Sequence, residues 1–513
     1  MQTSKSQYNT ERVGSNTACA RHSLCAGFVI SVRAILLIYL ATALTLLSAG
    51  AVAQPNAPAA PEKLTATSLA PSCVVLSWVD RARNETGFRV ERQQGNGDWQ
   101  LIAELPANTT RFESVGLAAE QSYRHRVCAF NKTGQTGNGE WAVAEPIKTP
   151  VLTTSQPKGR VIIAHSKEVP RTDVGSFLKL RGGELILMFG SFTGVRDTDR
   201  SRLGMVVSKD DGQSWSEPRI LFQDSEVSFL HPALARMGNG EIGLAYSKLW
   251  DGSKAVKVFR HSADEGRMWS DEIPVSDGSY GYMTGASDRL YRLSNNRLVN
   301  LVHGKITVTG GTKTSNGRSR LGTDVFVSDD HGRTWRKTTT QTLRVDENPM
   351  NYTEHGFWES SLVEHAPGKL LQIGRTANGW AYETRSDDYG STWTQPTRCP
   401  AFRNPLAPVH ITMIPGTKEM LLIFNPIVEP KPRNLGGDRW ILAAQISSDG
   451  GRTWRGYREL EYPGHADWIC YPCMYWVGDT LHVAYHYWNG GNTNDRTHDS
   501  RYQRLTKAQL LAA

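Results

Sequence analysis

Cysteine is scarce in this 513-residue chain, with seven in all. Cys19 and Cys25 fall in the amino-terminal leader. The others, Cys73, Cys128, Cys399, Cys470 and Cys473, are odd in number, and their spacing resembles no metal site. Cys470 and Cys473 have a C-x-x-C spacing, but strand alternation would point them to opposite faces. All five are therefore expected to pack, with no Cys73–Cys128 disulfide, no redox pair and no zinc. A basic block is also lacking. The formal charge of +8 is scattered, which argues against a nucleic-acid partner and suits an anionic small substrate. Beyond residue 53 no run is apolar enough to span a bilayer, so no stable membrane insertion is expected once the leader is removed. The histidines show no metal-ligand spacing, and no cofactor is implied.

What the chain does have begins with an export signal. Arg12, Arg21 and Arg33 precede an apolar run from Ala34 to Leu47, and Ala51-Val52-Ala53 before Gln54 fits a small-x-small cleavage site. Residues 1–53 are read as a signal peptide. The mature protein is then secreted, periplasmic or on the cell surface. The alternative is an uncleaved anchor over 28–53. An Ala/Pro linker, 54–60, follows.

Residues 61–150 read as a small β-sandwich, with short alternating runs between turn residues. Leu76 and Trp78 share one face, and Tyr123, Val127 and Ala129 face inward with Cys128 outward. Leu117, Tyr123 six positions on, and the run Arg124–Asn131 resemble the tyrosine corner of a fibronectin type III domain. On that analogy the domain is a spacer, or an attachment to carbohydrate or cell surface.

The rest of the chain, 157–513, repeats S-x-D-x-G-x-x-W five times: Ser208–Trp215, Ser262–Trp269, Ser328–Trp335, Ser386–Trp393 and Ser447–Trp454. Asp supplies a turn acceptor, Gly the tight bend and Trp a plug. A period of about 55–65 residues with several strands each predicts an all-β propeller. Five motifs and room for one more give six blades, the last closed by an early strand near Arg160–Ala164.

Apolar runs headed by charged or phenolic residues recur blade after blade. Arg171, His231, Asp288, Glu359, His410 and Tyr471 each precede or open an inner strand, with His303 opposite Asp288. A hairpin centred on Pro367 sets Glu359 opposite Arg375 at one rim. Arg439 sits on a later strand of the fifth blade.

The motif is the Asp box, and the series resembles the sialidase (neuraminidase) superfamily of BNR-repeat propellers. That resemblance implies an exo-α-sialidase-like glycosidase releasing terminal sialic (nonulosonic) acid from an acidic glycan, by a retaining mechanism with a tyrosine nucleophile. It implies Tyr471 as nucleophile, Glu359 as its base and Asp197 as acid/base, with Asp199 as the rival acid. Arg171, Arg375 and Arg439 would clamp the substrate carboxylate, with His231, Asp288 and His410 as further rim contacts. Two departures stand out. Arg171 is followed by Thr172-Asp173 where the family has Arg-Ile-Pro, and the last inner hairpin, Leu481–Tyr487, has no acid to orient Arg171. Two other readings stay open. One is a hydrolase or polysaccharide lyase for another acidic glycan. The other is a non-catalytic glycan-binding propeller.

Overall fold

The computed structural model describes residues 57–132, 141–152, 159–250, 254–277, 286–305, 320–347, 355–401, 403–427, 439–463, 467–490 and 497–512. The signal-peptide reading of 1–53 lies outside them. No helix among the described residues is long and apolar enough to cross a membrane.

Glu62–Ala70, Cys73–Val79 and Arg111–Val115 form one sheet of the amino-terminal sandwich. Gly87–Gln94, Gln100–Pro106 and Ser122–Phe130 are the main strands of the other. Val74, Leu76, Trp78, Phe88, Val90, Tyr123 and Val127 fill the space between them. The Tyr123 hydroxyl accepts from the Ala118 N–H at 2.9 Å, closing the tyrosine corner. Cys128 does turn away from this core, but it is buried rather than exposed. Its cross-strand partner is Arg89, and long side chains can cover the outer face of a sheet. Cys73 and Cys128 are both free thiols.

From Arg160 on, the strands form units of four antiparallel strands in chain order, with His355–Gly356 added parallel to the third and a parallel bridge, Arg171 to His498, joining the first and last. Arg171–Lys179 leads the first, Val227–Arg236 the second and Leu290–Arg292 the third. Trp358–Ala366, His410–Met413 and Trp468–Val477 lead the fourth, fifth and last. In the last unit the fourth strand is Arg160–Ile163, antiparallel to Thr497–Thr506, so the start of the propeller closes its end. Each unit buries one sheet face against its neighbour. Leu178 and Met188 meet Phe229 and Leu244 between the first two units. Phe177 and Phe189 meet Cys473 and Ala484 between first and last. Packing thus runs around a closed ring, and Cys470 lies in a different cluster, with Trp468 and Trp488.

The Asp boxes are local. In the third, Asp330 accepts from Ser328 Oγ at 2.8 Å, from the Thr334 N–H at 2.9 Å and from Thr334 Oγ1 at 2.6 Å. His331 and Gly332 are both left-handed, with φ of 61° and 84°. That conformation is why glycine holds the fifth motif position.

The sandwich is docked on the propeller. Glu113 is buried and accepts from the backbone N–H groups of Gly456 (2.9 Å) and Tyr457 (2.8 Å) and from Gln445 Nε2 (3.0 Å). Ser72 bonds the Tyr457 hydroxyl at 2.5 Å and also donates to Glu459. Cys73 packs into the apolar cluster between the fourth and fifth units. A Cβ on Gly116 would lie 1.8 Å from the Ile427 carbonyl oxygen, so the backbones there touch.

Candidate active site

One backbone device repeats at the rim. In the first, second, fourth and last units the inner hairpin shifts register by one residue, at Val174/Ser176, Leu230/Ala233, Trp358/Ser361 and Cys470/Cys473. His231, Glu359 and Tyr471 fall inside three of these bulges with φ of 54°, 47° and 56°, and Asp288 reaches 63° just before its strand. A left-handed conformation is uncommon for such side chains, costs of order 1–3 kcal/mol each, and clusters at functional sites. A bulge re-aims one side chain out of the strand's alternation. The bulge also explains a one-residue difference from the simple hairpin: Arg375 is registered against Trp358, not Glu359, although Ser361↔Ile373 keeps the expected register.

These bulges bring Tyr471, Glu359 and Arg375 together. The Tyr471 hydroxyl donates to Glu359 Oε1 at 3.3 Å, and Arg375 Nη2 lies 2.8 Å from Glu359 Oε2. Arg375 also donates to the Leu406 carbonyl at 2.6 Å and stacks on Trp358, with 3.7 Å from Cζ to the ring centroid. Arg439 donates to the same carbonyl at 2.7 Å and to Cys470 Sγ, and lies 5.5 Å from the Tyr471 ring centroid. Burial pushes the Glu359 carboxyl up, with Arg375 and Arg439 opposing. Burial also raises the Tyr471 phenol, and the two guanidiniums only partly offset it.

Arg171 stands across the cavity. Its Nε and Nη2 donate to Asp173 Oδ1 (2.9 Å) and Oδ2 (2.6 Å). Its Nη1 donates to Asp197 Oδ1 (2.6 Å) and the Val195 carbonyl (3.3 Å). Asp197 sits on an exposed loop with 64% of its side chain accessible. Desolvation works against its charge, but Arg171 outweighs it and holds the carboxyl below its ordinary value. The rival Asp199 instead accepts from the Arg196 N–H at 2.7 Å and braces the loop.

The empty space of this pocket, counted out into open solvent, is about 450 Å³. Among the described residues, Arg171, Asp173, Asp197, Ser287, Glu359, Tyr471 and two histidines, His231 and His486, supply its polar wall, and Phe192 and Leu230 its apolar wall. Burial leaves both histidines neutral near pH 7, pushing His231 down to about 3 and His486 to about 4. Among the described residues, Asp288 and His410 are not in the lining of this pocket. Asp288 instead accepts from Ser176 Oγ at 2.6 Å and lies 3.7 Å from His410 Nε2, which makes a structural cluster of them. Arg375 is buried against Trp358 and Arg439 lies among Trp468, Tyr471 and Trp488, while Arg171 lines the pocket.

The missing acid of the last hairpin has a local substitute. Asp173, two residues along the same strand, shares a face with Arg171. Desolvation opposes its charge, yet Arg171 and His486 hold Asp173 well below the carboxylate range. His486 stacks on Tyr471 with centroids 4.8 Å apart, its Nδ1 3.6 Å from Asp173. In the sequence Asp173 reads only as a departure from a motif. The i, i+2 spacing to Arg171 is the signal available there. Trp358, Trp468 and Trp488, which pave the arginines, carry none beyond adjacency.

Comparison with known proteins agrees with this architecture. A BNR repeat-like domain matches residues 231–483 and a fibronectin type III domain residues 59–145. No curated protein sequence matches the chain. Among solved structures, the NanB sialidase of Streptococcus pneumoniae superposes with a TM-score of 0.53 at 12% identity, covering 88% of this chain and 93% of that one. A leech intramolecular trans-sialidase bound to 2,7-anhydro-Neu5Ac gives 0.52 at 14%, covering 90% and 98%. A Dyadobacter fermentans protein of unknown function gives 0.50 at 20%, covering 68% and 98%. The chain therefore has a sialidase-like BNR propeller fold joined to a fibronectin type III domain.

Proposed function

We propose that the protein is an exported retaining glycoside hydrolase that removes a terminal sialic (nonulosonic) acid from a glycan. The observation that carries this is the chain of contacts from the Tyr471 hydroxyl through Glu359 to Arg375, buried at the cavity wall. A phenol, with an ordinary pKa near 10, is a poor nucleophile until a base takes its proton. Glu359 is in hydrogen-bond reach to do so. Tyr471 Oη attacks the anomeric carbon as its proton passes to Glu359, while Asp197 gives a proton to the departing glycosidic oxygen. Water, activated by the Asp197 carboxylate, then releases the sugar and Glu359 returns the proton to Tyr471. A neutral nucleophile suits an anionic sugar, because a carboxylate would be repelled by it. Arg171 meets the substrate carboxylate, while Arg375 and Arg439 stabilise the developing phenolate. Two displacements predict retention. Proton NMR of the first product from an α-sialoside tests this: the α anomer supports the reading, and the β anomer refutes it.

A second reading rests on the same wall. It presents one guanidinium beside two neutral histidines. That composition also fits a lyase for another acidic glycan, with Tyr471 or a histidine as base. Unsaturated products absorbing in the ultraviolet would identify it.

A further inference from the structure

Arg171 can donate five hydrogen bonds, and four are already made, to Asp173, Asp197 and Val195. The bond to Asp197 matters most. Bidentate capture of a carboxylate uses the outer edge of a guanidinium, formed by Nη1 and Nη2. Both hydrogens of Nη1 are committed, one to Asp197 at 2.6 Å and one to Val195 at 3.3 Å. Asp173 holds the other edge, buried and bidentate. Asp197 is different. It comes from an exposed loop, and 64% of its side chain is accessible although it contacts Arg171.

We infer that Asp197 is a placeholder: its carboxylate occupies the seat on Arg171 that an anionic sugar must take, and substrate binding displaces it. This rests on the function proposed above and specifies how the same site is engaged. In the resting site two carboxylates share one guanidinium, so an incoming anion meets excess negative charge until Asp197 leaves. Once displaced, Asp197 loses the cation that holds its carboxyl below its ordinary value. Its proton affinity then rises, which favours its part as proton donor to the glycosidic oxygen. The substrate's own carboxylate thereby primes the acid. An uncharged sugar cannot do so, which makes the exchange a filter for acidic substrates. Asp199, bonded to the Arg196 N–H, keeps the loop's base fixed while the Asp197 side chain moves.

The test is calorimetric titration of wild type, Asp197→Asn and Asp197→Ala with N-acetylneuraminic acid and with its neutral methyl ester. The placeholder requires the acid to bind Asp197→Ala about tenfold more tightly than wild type, with Asp197→Asn between them and the ester unchanged. Equal or weaker binding of the acid by Asp197→Ala overturns it. A second readout does not depend on the sugar: the rate at which phenylglyoxal modifies Arg171, followed by peptide mapping. Faster modification in Asp197→Ala supports the seat even if no variant binds N-acetylneuraminic acid, in which case the sugar assignment fails alone. An unchanged rate overturns the placeholder whatever the sugar.

Discussion

The Tyr471 hydroxyl and the Glu359 carboxylate lie 3.3 Å apart, and both residues hold left-handed backbone conformations inside register shifts of their strands. Neither side chain could reach the other from regular strand alternation. The strain at two positions is what makes one contact, and the surrounding hairpins, packed on both faces, keep it in place.

Arg375 is as much a structural partner as a binding group. Its side chain and that of Glu359 are 4% and 3% exposed. Arg375→Ala strands a buried carboxylate, and breaking such a pair costs about 3–5 kcal/mol. Denaturant unfolding is expected to show a loss of that order, alongside a fall in both kcat and kcat/KM. A rise in KM alone, with stability intact, would contradict this placement.

Asp288 yields a pH dependence. Burial pushes its carboxyl up to about 6, with Ser176 and Arg289 opposing. The folded state therefore binds this proton more tightly than the unfolded chain, whose aspartates titrate near about 3.9. The resulting stability is full below that value and is lost as pH rises towards 6. Asp288→Asn removes the titration. Relative to the variant, wild type is expected to lose stability between about pH 4 and 6. A constant difference across that window would mean that Asp288 does not titrate there.

Glu113 joins the two domains. Glu113→Ala leaves the N–H groups of Gly456 and Tyr457 without their acceptor, and each buried loss costs about 1–3 kcal/mol. Unfolding followed by tryptophan fluorescence is expected to show a drop of about 2–6 kcal/mol. No change would mean that the sandwich is not integral to the propeller's stability.

Much of this fold was legible in the chain. Five Asp boxes declare the propeller because their turn chemistry is local, and Leu117 with Tyr123 declares the sandwich for the same reason. The rim residues were legible as a recurring position, and Tyr471, Glu359 and Arg375 do converge. Depth was not legible. Whether Asp288 faces the cavity or Ser176 depends on its positive φ and on packing from neighbouring strands. The partnership of Arg171 with Asp173 needed only an i, i+2 spacing, but many such pairs in a sheet mean nothing. Docking of Glu113 on Tyr457 joins positions 344 residues apart, which no local pattern encodes.

The most direct measurement is turnover of an aryl α-ketoside of N-acetylneuraminic acid by wild type and Tyr471→Phe, with folding of both checked by circular dichroism. The variant keeps the ring against His486 and loses only the hydroxyl that meets Glu359. Release by wild type and a fall of a thousandfold or more in Tyr471→Phe is the expected result. Undiminished turnover by the variant would remove the tyrosine from the chemistry, and no turnover by folded wild type would remove the sugar.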